Sequence, residues 1–134
     1  MTLRLLDTNA VIAVLTRRSD ALLRRVEAAE PGSLAVSSVV THELYYGAYR
    51  SQKVAFNLET LRLLFADLAI LDLDREDARV AGEIRADLAR RGMPIGPYDV
   101  LIAGQARARN LTLITNNTDE FARVPGLQLQ DWTL

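Results

Sequence analysis

The chain contains no cysteine, one lysine, one histidine and one tryptophan. Without cysteine it can form no disulfide, use no thiol nucleophile and offer no thiolate to a metal. A single histidine leaves little room for imidazole-rich metal sites or relay triads. Long apolar runs are missing too. The longest, Ala10 to Leu15, is far short of the roughly 20 residues that span a bilayer. Charge of one sign is not in excess either. The formal net charge is −1, which gives no electrostatic signature of a general polyanion binder. Met1 leads straight into a predicted strand with no basic, hydrophobic leader, so the expected location is cytoplasmic. Among the cations, 15 are arginine and only Lys53 is lysine. Arg17-Arg18, Arg50 with Lys53, and Arg90-Arg91 fall near predicted helix ends, where they could complement helix dipoles or contact phosphates.

What is present is the material of one ordinary packed domain. The chain has 134 residues, 49% of them hydrophobic and 25% charged, a size and balance that support a single domain over residues 1–134. Strand-like runs are Leu3–Leu6, Leu34–Ser37, Ala69–Leu73, Leu111–Ile114 and Leu127–Gln130. Between them, helical patterns cover Thr8–Thr16, Asp20–Ala29, Ser38–Arg50, Lys53–Leu68, Glu76–Arg91 and Pro97–Arg109, with a short stretch near Glu120–Arg123. Asp74 reads as a cap and Gly92 as a stop for the fifth helix, whose apolar stripe is Ala78, Ala81, Ile84 and Leu88. Pro97 suits the first turn of the sixth. Alternation of this kind predicts a three-layer α/β/α fold with a mostly parallel sheet of four to five strands. In such sheets ligands bind beyond the carboxyl ends of the strands, where strand order reverses.

Several acids pass that positional test. Asp7 follows the first strand; Glu43 lies in the helix after the second; Asp99 is in the first turn of the helix opened by Pro97. Asn117 and Asp119 follow the fourth strand. Each has a plainer reading. Asp7 could cap a helix, Asp99 could complement a dipole, Glu43 could sit on an exposed edge, and Asn117 and Asp119 could be turn residues. Asp72 and Asp74, at the third strand's end, read as turn and cap. The joint pattern favours a site, because independent capping would scatter acids over both sheet edges. Clustered carboxylates resist ionisation unless a cation neutralises them. Oxygen-only donors suit a hard ion such as Mg²⁺ or Mn²⁺, held by one or two carboxylates and completed by water and a substrate phosphate. That chemistry fits phosphodiester hydrolysis. His42 is adjacent to Glu43 and is expected to face away from its target.

The motifs Leu5-Leu-Asp7-Thr-Asn9, Thr41-His-Glu43-Leu with Gly47, Tyr98-Asp99-Val-Leu-Ile-Ala103, and Leu113-Ile-Thr-Asn-Asn117 with Phe121 resemble, in order and spacing, the PIN-domain ribonucleases. The likeness extends to the VapC-type toxins of bacterial toxin–antitoxin pairs. It implies a PIN-like fold and cleavage of RNA with Mg²⁺ or Mn²⁺. Asp7 and Asp99 would be metal ligands, and Glu43 would bind metal or orient the attacking water. Many members of the family have an aspartate where this chain has Asn117. The fourth position is therefore open between Asp119 and an Asn117 that binds through water. The resemblance further implies a homodimer and a cognate antitoxin whose tail covers the acids. Tyr45, Tyr46 and Tyr49 could line a groove for that tail, with Tyr45 expected in the core. The segment from Thr115 to Trp132 is similar to the subgroup that cuts initiator tRNA in its anticodon loop, making tRNA the expected substrate. Two other readings compete. An aspartate-phosphorylating phosphatase or receiver domain would need a lysine after a late strand, which Lys53 does not supply. A catalytically silent PIN fold that binds RNA or protein would not need three intact acids.

Overall fold

Five short strands alternate with seven helices in the computed structural model, which describes residues 2–134. In chain order they are β1 (Arg4–Leu6), α1 (Thr8–Leu15), α2 (Asp20–Ala28), β2 (Leu34–Ser37), α3 (Ser38–Tyr49), α4 (Val54–Ala66), β3 (Ala69–Leu71), α5 (Arg75–Arg90), α6 (Pro97–Ala108), β4 (Thr112–Ile114), α7 (Thr118–Phe121) and β5 (Gln128–Gln130). Local chemistry explains most helix starts. The side chains of Asp7, Ser19 and Ser37 accept the N–H of Ala10, Leu22 and Val39, satisfying donors that the first turn leaves free. Asp74 and Asp77 form a reciprocal capping box at the head of α5. Pro97 occupies the first turn of α6.

The strands form one parallel sheet in the order β3-β2-β1-β4-β5. Arg4, Leu5 and Leu6 pair with Leu34, Ala35 and Val36 on one side and with Thr112, Leu113 and Ile114 on the other. Successive strand residues face opposite sides. Leu5 and Leu6, Ala35 and Val36, and Leu113 and Ile114 are nevertheless all buried, so helices cover both faces. This is the expected three-layer α/β/α arrangement, with five strands. The chain first builds outward from β1 through β2 to β3, then returns to place β4 on the other side of β1. Strand order therefore reverses between β1 and β4. Asp7 and Thr115 stand at the ends of those two strands, on the edge where parallel sheets form clefts.

Two packing features depart from the apolar pattern expected of α5. Ala78 is exposed, and its place in the buried stripe belongs to Asp77, followed by Val80, Ala81, Ile84 and Leu88. Asp77 is only 1% exposed. Burial alone would raise its pKa, but the Arg109 guanidinium, the Asp74 N–H and the Gln105 amide together hold it below the usual carboxylate value. A carboxylate so well supplied with donors can replace an alanine in the stripe. The second feature is Gly104 of α6. A Cβ there would lie 2.6 Å from Ala81 Cβ and 2.7 Å from Ala81 backbone atoms. Hence α5 and α6 touch backbone to backbone, and that closeness sets the position of α6.

Replacing Gly104 by alanine must separate the two helices and is expected to cost about 2 kcal/mol or more. Asp77→Ala removes the capping box and the nearest carboxylate partner of Arg109, which keeps the Asp72 carbonyl and Asp74, and is expected to cost about 2 kcal/mol. Urea denaturation monitored by circular dichroism checks both.

Candidate active site

Asp7 leaves β1 with extended backbone and is 2% exposed. Its Oδ1 accepts the Ala10 N–H at 2.7 Å, and its Oδ2 accepts the Thr115 hydroxyl at 2.5 Å. Capping and membership of a cleft are therefore both true of this residue. Burial raises its pKa, the Thr115 and Ala10 hydrogen bonds oppose that rise, and the Glu43 charge adds to it. Each Asp7 oxygen accepts one hydrogen bond and keeps a further lone pair.

Glu43 stands on α3, partly buried, where Oε1 accepts the Thr8 hydroxyl at 2.8 Å. One residue beyond Asp7 thus reaches across to α3 and ties the two acids to one another. Asp99 sits in the first turn of α6, half-buried. A Cβ on Gly96 would come within 3.2 Å of Asp99 Oδ2, so the missing side chain leaves the carboxylate its space. The Asp99 pKa is pushed up to about 6, first by burial and then by the charges of Glu120, Asp7 and Glu43. Acids from the end of β1 and from α3, α6 and α7 therefore share one electrostatic neighbourhood, although up to 113 residues separate them along the chain (Asp7 to Glu120).

The fourth corner differs from expectation. Asp119 is exposed and makes no hydrogen bond among the described residues, whereas Glu120 is the neighbouring charge that acts most strongly on Asp99. Glu120 Oε1 accepts the Gly96 N–H at 3.1 Å and Oε2 accepts the Asn117 amide at 2.5 Å. Asn117 in turn donates its backbone N–H to Thr115 Oγ at 2.9 Å. Thr115 therefore holds both Asp7 and Asn117, and Asn117 holds Glu120. The signal in the sequence was the three-residue spacing from Asn117 to Glu120, which places both on one side of a single helical turn.

His42 does not turn its back on this cleft. It is exposed, and its Nε2 lies 3.4 Å from the Tyr98 hydroxyl next to Asp99. Tyr45 is 41% exposed, outside the core where it was expected, and meets Phe65 edge to face. Gly47 has open space at its Cβ position, so no part of this chain approaches it.

Six of the fifteen arginines, Arg62, Arg79, Arg90, Arg91, Arg107 and Arg109, are structural partners in ion pairs. They pair with Glu59, Glu76, Glu83, Asp87, Asp74 and Asp77. Among the described residues none pairs with Asp7, Glu43, Asp99 or Glu120, so the cleft keeps its negative charge. This donor set, all oxygen and charge-rich, fits a hard divalent ion. No three acidic or imidazole side chains among the described residues converge into a closed cage. An ion here would rest on one or two carboxylates with water in its remaining positions, the ordinary habit of Mg²⁺.

Comparison with known proteins follows the same line. Residues 4–127 match the PIN domain family. A tRNA(fMet)-specific endonuclease VapC of Shigella flexneri is 42% identical over 129 residues, covering 96% of this chain and 97% of that protein. A VapC of the same description from Salmonella typhimurium is 39% identical, covering 96% of each. The crystal structure of DNA-bound VapBC from Salmonella typhimurium aligns with a TM-score of 0.93 at 39% identity, covering 98% of this chain and 99% of that one.

The raised Asp99 pKa makes a signed prediction. Its carboxyl holds a proton more tightly when folded, so the penalty is absent below the unfolded value and complete above about pH 6. In EDTA, thermal melts of wild type and Asp99→Asn should coincide near about pH 4, with the variant increasingly the more stable up to about pH 7.5. Adding Mg²⁺ should raise the wild-type melting temperature and narrow that gap.

Proposed function

The chain belongs to the PIN domain family, and from that premise we propose that it is a Mg²⁺- or Mn²⁺-dependent endoribonuclease, the toxin of a toxin–antitoxin pair, with initiator tRNA as its substrate. The observation that carries the proposal is Asp99, which is pushed up to about 6 by burial and then by the charges of Glu120, Asp7 and Glu43, with no basic partner among the described residues. A catalytically silent binding module gains nothing from carboxylates kept unpaired at such a cost, when arginine is plentiful elsewhere on the surface.

Asp7 and Asp99 would hold the ion, and Glu43 would join them or orient the attacking water. When bound, the ion supplies positive charge that acidifies water and offsets charge on the phosphate in the transition state. The protein's own task is positioning. Thr115 and the Ala10 N–H fix both oxygens of Asp7, so that carboxylate needs no reorganisation when substrate arrives. The Thr8 hydroxyl fixes Glu43. Asn117 and the Gly96 N–H fix Glu120, which adds negative charge beside Asp99 and thereby strengthens cation binding. Asn117 is then a positioning residue, and Asp119 is a surface residue.

The solved relatives include VapBC pairs from Rickettsia felis and Salmonella typhimurium bound to DNA. For this chain we accordingly infer a cognate antitoxin that shields the acids, a homodimer, and action in the cytoplasm where tRNA is found. No described helix is long and apolar enough to cross a membrane.

Purified protein incubated with initiator tRNA and Mg²⁺ or Mn²⁺ should yield discrete fragments on denaturing gels, and EDTA should stop the cleavage. Asp7→Asn should lose cleavage while remaining folded; retention of full activity would refute the assigned roles. Glu120→Gln is expected to reduce activity about 10- to 100-fold and to raise the Mg²⁺ requirement, as loss of a supporting carboxylate does. Asp119→Asn should leave both unchanged.

A further inference from the structure

Beside the acids, α3 and the head of α6 form a wall of rings. His42 and Tyr46 are four residues apart and share a face of α3. Tyr98 immediately precedes Asp99. The His42 and Tyr98 rings meet edge to face, with centroids 5.6 Å apart and planes at 68°. Together with Glu43, these three side chains line an open cleft of about 560 Å³. Tyr46 is 61% and Tyr98 44% exposed. One turn further along α3, the Arg50 guanidinium lies over the Tyr46 ring, 5.3 Å from its centroid, and has no carboxylate partner among the described residues.

We propose that this cleft is a nucleobase subsite, in which an unpaired base next to the scissile phosphate stacks on Tyr98 and Tyr46 while Arg50 takes a neighbouring backbone phosphate. The inference rests on the ribonuclease reading and deepens it by naming what grips the substrate. Three arguments support it. With a net charge of −1, phosphate contacts alone hold RNA weakly. Exposed aromatic faces beside a negatively charged site provide attraction that does not depend on charge. A cation over the outer ring suits a phosphodiester backbone better than an apolar peptide, which would leave Arg50 and Glu43 unsatisfied. His42 is a positioning residue, holding the Tyr98 ring upright by its edge-to-face contact and the long hydrogen bond to the hydroxyl.

The selectivity follows from geometry. Only a base freed from pairing presents an open face, so the cleft favours loops and rejects duplex. Stacking is also tolerant of base identity, so this subsite chooses single-stranded RNA and leaves the reading of sequence to other contacts.

The test uses a short single-stranded RNA carrying 2-aminopurine beside the cleavage position, and the full-length chain. In an Asp7→Asn background, binding should quench 2-aminopurine fluorescence. Adding Tyr98→Ala should abolish the quenching and weaken Kd about tenfold or more, whereas Tyr98→Phe should preserve most of both. In the chain with Asp7 intact, Tyr98→Ala and Tyr46→Ala should raise KM more than they lower kcat. Circular dichroism and melting curves establish that each variant is folded. Unchanged quenching and unchanged Kd in folded Tyr98→Ala and Tyr46→Ala would overturn the subsite. So would a loss confined to antitoxin binding or to dimer formation with RNA binding intact. If the unaltered protein cleaves no RNA with either metal, the ribonuclease reading itself fails, a result distinct from loss of stacking alone.

Discussion

A carboxylate buried at the end of the central strand is the constraint around which the remainder of the molecule is arranged. Asp7 can occupy that place only because two donors meet it there, one from the start of its own helix and one from the Thr115 hydroxyl at the end of β4. An ionised group without such donors would be too costly to bury. The parallel register of β1 with β4 aligns Leu6 with Ile114, so Asp7 and Thr115 leave the sheet side by side. Geometry of the sheet and chemistry of the cleft are therefore one arrangement. Thr115 also accepts the Asn117 N–H, so the same hydroxyl that steadies Asp7 begins the chain of contacts leading to Glu120.

The cleft is a region of tolerated conflict. Elsewhere six acids are paired with arginine, through i,i+3 and i,i+4 contacts along α4 and α5 and through Arg107 and Arg109 against Glu83, Asp74 and Asp77. Asp77 and Asp99 make the contrast clear. Both are withdrawn from water, yet Asp77 is drawn below its ordinary pKa by a guanidinium and amide donors, while Asp99 is pushed above its own by burial that no donor offsets and then by other carboxylates. One is satisfied by donors within the fold; the other has no such donor among the described residues, the condition under which the proposed cation would relieve it. Stability is surrendered locally so that a binding event can restore it.

Much of this was legible in the residues, for identifiable reasons. Strands β1, β2 and β4 are apolar runs flanked by capping residues, and their order with intervening helices forces a parallel sheet. Asp7, Glu43 and Asp99 each lie just after a strand or in an early helical turn, which is where topology delivers side chains to the cleft. What escaped was set by contacts between distant segments. The stripe expected of α5 includes Ala78 and leaves out Asp77, because Arg109, 32 residues away, cannot be matched to it from spacing. Gly104 looked unremarkable because only its apposition to Ala81 reveals why it lacks a side chain. Glu120 was passed over for Asp119 since a four-residue helix gives too short a pattern to say which side faces inward. Tyr45 was assigned to the core from its apolar ring, yet α3 buries Val40, Leu44 and Ala48 instead.

The central place of β1 has an effect on the order in which this molecule comes into being. Asp7 leaves the ribosome 108 residues ahead of the hydroxyl that completes its environment. No hairpin can seed such a sheet, and every strand pairing waits on a crossover. Until Thr115 has been made, the nascent chain therefore carries Asp7, Glu43 and Asp99 without the frame that gathers them. Any activity arising from this cleft would be postponed until β4 and Thr115 have joined the sheet, a delay written into the topology.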